Sequence, residues 1–429
     1  MKLKKMYDSI IDETVYYQVL DNGLPVYIMP KKGFRKKYVS FATSYGSVDN
    51  QFRDFESSEI VTVPDGIAHF LEHKMFDDAK MNVFDRFASY GANVNAYTSY
   101  TMTNYFFDTA DNFDQCLNLL LDFVQTLYLT EESVEKEKKI IAQEILMYED
   151  DPDWIGYLTL LQALFHQHPV REDIAGTVDS VYQTKKEQIE QCYKTFYHPG
   201  NMILFVAGDL DPEQVLETVR QNQVKKDYEF HPPVEHILQE EPEEVFKRRV
   251  ENEMAVSRPI CNIGFKERKT GIGGDALLKR DLVTNILIQI LFGKSSELYQ
   301  NLYEQGIIGD NFSASYTGDL GYGMTVLGGH TDDTDRFYNA LINGLKAKKG
   351  NITGDELERI RRKMIGDYIS TFDSLRAIGQ NFTSYYFNKM NIFHELKLLN
   401  QITLEDLEQR VGQHFRLDNH AVSIVNPQK

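Results

Sequence analysis

The segment TGDELERIRRKMIGDYISTFDS, beginning at Thr353, superposes on TEESVEKEKKIIAQEILMYEDD, beginning at Thr130, with Val134 against Leu357 and Leu146 against Ile369. A repeat of this length restricts a 429-residue chain to folds built from two copies of one unit. The flanking patterns agree. In the first half, VLDNGLPVYIM alternates apolar residues about Asn22-Gly23 as a hairpin does, and Tyr38 to Tyr45 reads as a strand. Helical periodicity runs through IAHFLEHKMF and FDQCLNLLLDFVQTL, with the β-rich VNAYTSYTMTNYFFDTA between them. Thr130 to Glu149 is expected to be a helix capped by Thr130, with Val134, Ile140, Ile141 and Leu146 inside and Pro152 closing it; the strand MILFVAGDL follows later. The acidic, proline-bearing stretch FHPPVEHILQEEPEEVFK breaks the periodicity as a linker does. After it come ICNIGF, LVTNILIQILFG, strands around YGMTVLGG, and the helix RFYNALINGLKA. The expected organisation is α+β: an N-terminal domain over 1–228, a linker over 229–247 and a homologous C-terminal domain over 248–429.

A net charge of −18 opposes attraction to phosphate backbones or anionic lipid, so no nucleic-acid or membrane partner is expected. No stretch reaches the roughly 18 apolar residues of a spanning helix, and the basic start lacks a signal-peptide core, which points to the cytoplasm. Cys116, Cys192 and Cys261 are too few and too scattered for a disulfide framework or a thiolate metal site.

The two copies differ in chemistry. On a helix, His69 and His73 stand at i and i+4, one above the other, so both imidazoles reach one ion, and Glu72 lies on the same side. With 11 histidines in the chain, HxxEH arises by chance only about 0.02 times. Its apolar surroundings, Ile67, Phe70, Leu71, Met75 and Phe76, make unpartnered polar groups costly there, and a metal supplies the partner. Zinc takes imidazole nitrogen and carboxylate oxygen, and a catalytic site uses three protein ligands. A third ligand must therefore come from elsewhere. In the second copy Asn285, Ile288 and Gln289 stand opposite His69, Glu72 and His73, and Asp367 opposite Glu144, so only the first half can hold the metal.

GIAHFLEHKMF and EKEKKIIAQEILMYEDDP together resemble the pitrilysin/insulinase family of zinc metallopeptidases, which includes the mitochondrial processing peptidase, and the likeness covers nearly the whole chain. The resemblance implies two α/β sandwich-like domains of the processing-peptidase type, one zinc ion per chain, Glu144 as third ligand and Glu137 as its supporting acid. It implies a metalloendopeptidase in which Glu72 takes a proton from water and returns it to the leaving amine, with peptides enclosed between the domains. GANVNAYTSYTMTNYFF is similar to the family's substrate-pairing edge strand, with Asn95 and Ala96 in the matching positions and Tyr105 nearby. HQHPV and FYHPGNMILFVAGDLD match structural landmarks, so His168 and His198 are not expected to be ligands. One departure stands out: family members active as single chains carry a stretch like SSRLFxxLRExxGLAY, whereas this chain reads SSELYQNLYEQGIIGDNF. Glu297 and Tyr303 replace arginines and Asp310 replaces the tyrosine, so either Tyr303 or a neighbour substitutes or the missing substrate-gripping groups come from a homologous partner subunit in a heterodimer; a homodimer is the other expected assembly.

Overall fold

The chain, described by a computed structural model over residues 3–54, 57, 59–77, 82–226, 228–237 and 240–428, forms two compact units. Unit 1 comprises Met1–Ile145, Asp173–Ile237 and Ile369–Phe387; unit 2 comprises Leu146–Glu172, Leu238–Tyr368 and Asn388–Lys429. Each unit thus takes a helix from the other half of the sequence.

The sheet of unit 1 has seven strands in the order Lys4–Asp8, Glu13–Val19, Pro25–Pro30, Met202–Gly208, Lys37–Thr43, Thr103–Thr109 and Asn93–Thr98. Pro25–Pro30 pairs parallel with Met202–Gly208 and every other neighbour is antiparallel. Unit 2 has five strands: Arg249–Met254, Ala421–Pro427, Ile260–Lys266, Gly323–His330 and Ser313–Gly318. Its first pair is again parallel and the rest antiparallel. The last five strands of unit 1 and the five of unit 2 therefore share one topology, which is what the internal repeat requires. The central strands read as continuous apolar runs because both faces are covered; Met202–Gly208 is buried throughout.

The exchanged helices have a glycine signature. In unit 2, helix Pro152–Leu164 lies on the sheet, and a Cβ on Gly156 would meet Asn262 Nδ2 at 2.9 Å. In unit 1, helix Leu375–Phe387 does the same, and a Cβ on Gly379 would meet Tyr38 Cε1 at 2.3 Å. These two glycines occupy the same position of the repeat, so both copies use close backbone approach to seat the crossing helix.

Thr130 and Thr353 cap their helices as the repeat predicts, accepting the backbone N–H of Ser133 and Glu356. Two expectations fail. Ile140 and Leu146 are exposed rather than interior, at 46% and 44%. Pro152 opens the following helix instead of ending the previous one, with Asp151 accepting the N–H groups of Asp153 and Trp154. The expected linker lacks regular structure but is pinned: Val234 N–H donates to Asn201 in unit 1, while in unit 2 Glu241 accepts from the backbone of His166, Gln167 and His168. Its residues Leu238 and Gln239 lie outside the described residues.

Candidate metal centre

Helix Ile67–Met75 begins at Gly66, whose φ of 87° and approach to the Ala175 carbonyl, 2.1 Å from a hypothetical Cβ, admit only glycine. Ile67, Ala68, Phe70, Leu71 and Met75 are buried in the unit 1 core, and this turns the opposite face, with His69 and His73, outward. Their rings lie 4.5 Å apart. Helix Glu131–Glu149 brings Glu144 against them, its carboxylate 3.8 Å from His69 Nε2 and 3.6 Å from His73 Nε2. Among the described residues this is the one group of three whose donor atoms all lie within 4.8 Å of one another. A tetrahedral zinc with bonds of about 2.0–2.2 Å separates its ligand atoms by about 3.3–3.6 Å, so the three groups are spaced for such an ion.

Electrostatics fit the same reading. Burial, with the nearby His73, depresses the His69 pKa to about 3, which leaves a neutral imidazole with a free lone pair. Burial also works against charge on His73, but the hydrogen bond its Nδ1 donates to Glu137 Oε1 at 3.0 Å, together with the charge of Glu137, outweighs that and raises the pKa. That contact occupies Nδ1 and leaves Nε2 facing Glu144. Glu137 itself is held below the usual carboxylate range: burial opposes its charge, and the hydrogen bond and charge of His73 prevail.

Glu72 is 9% exposed and takes a hydrogen bond from Thr98 Oγ1 at 2.6 Å. Burial raises its pKa, partly offset by Thr98, so it is a stronger base than a free glutamate. Thr98 had no signal in the sequence: it lies on strand Asn93–Thr98 and reaches Glu72 only because that strand runs beside the HxxEH helix.

The strand Asn93–Thr98 is one of the two end strands of the unit 1 sheet, the other being Lys4–Asp8. Asn95 is exposed, and its Oδ1 accepts the Ala96 N–H at 2.8 Å, so the side chain caps an edge donor. Tyr105 is elsewhere: it is fully buried, its hydroxyl 2.8 Å from that of Tyr197, and it packs behind the edge rather than on it. His168 accepts the Val170 N–H as the cap of a short helix.

At the corresponding positions of unit 2, Ile288 is buried in the core and Asp367 is exposed and paired with Lys363 at 2.7 Å.

Residues 63–178 match the family model described as insulinase (peptidase family M16), and residues 184–364 match that of the peptidase M16 inactive domain. The chain is 43% identical over 97% of both sequences to the "Uncharacterized zinc protease YmfH" of Bacillus subtilis. It matches the crystal structure of a putative M16-like peptidase from Alicyclobacillus acidocaldarius at 38% identity and a TM-score of 0.93, over 100% of this chain and 99% of that one. The periplasmic protease PqqL of Escherichia coli shares the fold at 18% identity and a TM-score of 0.74, with 98% of this chain covering 48% of that one.

Proposed function

The chain belongs to the insulinase family of M16 peptidases, and we propose that it is a zinc-dependent endopeptidase acting on peptides or small unfolded polypeptides at the His69, His73 and Glu144 centre. The observation that carries the reading is the convergence of these three donors next to a separately held carboxylate, Glu72. Zinc, when bound there, supplies a Lewis acid that polarises a scissile carbonyl and acidifies water. Glu72 is the general base: Thr98 fixes its orientation, and burial gives it the proton affinity to take a proton from water and pass it to the leaving amine. Glu137 holds His73 in the tautomer that presents Nε2. Substrate adds as a strand along Asn95 and Ala96, displacing the Asn95 side chain from the Ala96 N–H, while Tyr105 supports the strand from the core.

In this reading the homologous domains are 1–228 and 248–429, joined by 229–247, and the protein works in the cytoplasm; among the described residues no helix is long and apolar enough to cross a membrane. A second reading, a zinc-bearing subunit of a heteromeric peptidase, is favoured by the stretch 295–312. There Tyr303 is 44% exposed and its phenol is held protonated by Asp310, but no arginine accompanies it. This chain also spans about half of PqqL, so a pair of such chains matches one longer relative in length.

The test compares metal content and peptidase rate for Glu72→Gln, His73→Ala and Glu144→Ala, each alone and with a homologous partner. Glu72→Gln is expected to keep zinc and lose about 10²–10⁴ in rate, whereas the other two lose the metal. Normal turnover by Glu72→Gln would end the assignment, and full turnover by the wild-type chain alone would end the paired reading.

A further inference from the structure

We propose that Lys74 is a positioning residue of the metal centre, acting on His73 through Glu137; the inference rests on the zinc reading above. Lys74 is 1% exposed, and a buried ammonium is costly unless its surroundings supply charge and acceptors. Its Nζ contacts the Asp77 carboxylate, the Ser133 carbonyl at 3.3 Å and Glu137 Oε2 at 3.8 Å. The last two belong to helix Glu131–Glu149, the helix that carries Glu144. The same Glu137 carboxylate meets His73 Nδ1 with its other oxygen, Oε1, at 3.0 Å. One acid thus has a partner on either side: Lys74 is an ion-pair partner 3.8 Å from Oε2, and Oε1 holds the His73 ring by a hydrogen bond.

Consecutive residues on a helix diverge by about 100°, so His73 and Lys74 point apart and meet only through Glu137. The second copy shows what the fold alone asks of this position. In the register that sets Asn285 and Gln289 on His69 and His73, Lys74 faces Ile290, a buried apolar residue in a unit without metal chemistry. Packing of the unit is satisfied by an apolar side chain there. The charge is present only in the copy with the metal donors.

The test is zinc affinity, by competition with a chromophoric chelator, together with the visible spectrum of the cobalt-substituted protein and the unfolding midpoint of the metal-free protein. Lys74→Met is expected to weaken zinc about 10-fold and to alter the cobalt spectrum while leaving the metal-free midpoint unchanged. In a Glu137→Gln background the same substitution should cause no further loss. Lys74→Gln, which keeps a donor for the Ser133 carbonyl but not the charge, should behave as Lys74→Met does and serves if the latter misfolds. Wild-type zinc affinity in either variant, or an equal additional loss in the Glu137→Gln background, would overturn the proposal. Failure of the unmutated protein to bind zinc would instead sink the zinc reading, and this inference with it.

Discussion

The two units bury charge in opposite ways. In unit 1, Glu137 and Glu144 meet the His73 imidazole, Glu137 also stands 3.8 Å from the buried Lys74, and Lys74 contacts the Asp77 carboxylate. Carboxylates outnumber the one lysine in this group, an excess that suits the cation proposed above. In unit 2, the cluster closes on itself. Glu267 accepts from Arg410 at 2.5 Å, with Arg280 at 4.0 Å and His414 Nδ1 at 3.6 Å. Arg410 Nε donates to Thr284 at 2.7 Å, and His414 Nε2 lies 2.7 Å from the Thr325 hydroxyl. Two copies of one topology thus hold different polar clusters, one of carboxylates facing imidazoles and the other built on an arginine–carboxylate pair.

The largest stability effect should come from breaking the self-sufficient cluster. Arg410→Met leaves Glu267 buried without its main partner and should cost about 3–5 kcal/mol, read as protection of strand Ile260–Lys266 against hydrogen exchange, with zinc binding intact. If zinc binding falls while unit 2 keeps its protection, the two clusters are not independent.

Acid should act on the same cluster. Burial opposes the charge of Glu267, but its hydrogen bond with Arg410 prevails and brings the pKa from 4.5 to about 2. Its unfolded state therefore binds the proton first, so this contribution is complete above 4.5 and is lost as the pH falls toward 2. Burial, with Arg410, depresses His414 from 6.5 to about 3, so its penalty on the folded state begins earlier, below 6.5. Asp281, paired with Arg280 beside this cluster, is raised by burial from 3.8 to about 6 and works the other way, adding stability as the pH falls from 6 toward 3.8. The His414 and Asp281 effects oppose each other, so the net loss in unit 2 should come below pH 4.5, on the order of 3 kcal/mol from Glu267. A urea midpoint that does not fall between pH 4.5 and 2 would contradict this account.

The smallest effect concerns the edges. Both sheets have an end strand with exposed positions, Asn93–Thr98 and Ser313–Gly318, but in the first Thr98 donates to Glu72. Ala96→Pro removes one edge donor, worth about 1 kcal/mol, and should lower kcat/KM several-fold across unrelated peptides. Unchanged cleavage by a folded, zinc-loaded variant would remove the strand-addition model of substrate binding.

Much of the fold was legible because it is written in local periodicity. The Asn22-Gly23 hairpin, both threonine-capped helices and the buried strand Met202–Gly208 follow from turn chemistry, caps and apolar runs. Ile140 and Leu146 were misplaced because their helix carries apolar residues on more than one face, and periodicity alone cannot say which face a neighbour covers. Pro152 was misjudged because proline ends one helix and begins another equally well, and Asp151 decided for the second.

The sequence by itself determined that His69 and His73 share a face, since helical pitch is set by backbone hydrogen bonds within one short segment. It also determined that the chain has two like halves and that one lacks metal donors. Glu144 was named by family resemblance and not by periodicity, and only the tertiary structure decided how it approaches the histidines, that Thr98 holds Glu72, that Tyr105 faces the core and that each unit takes a helix from the other half. These depend on how separate helices and strands pack, and packing is fixed by long-range shape and burial, such as the close approaches at Gly156 and Gly379, to which local periodicity is blind.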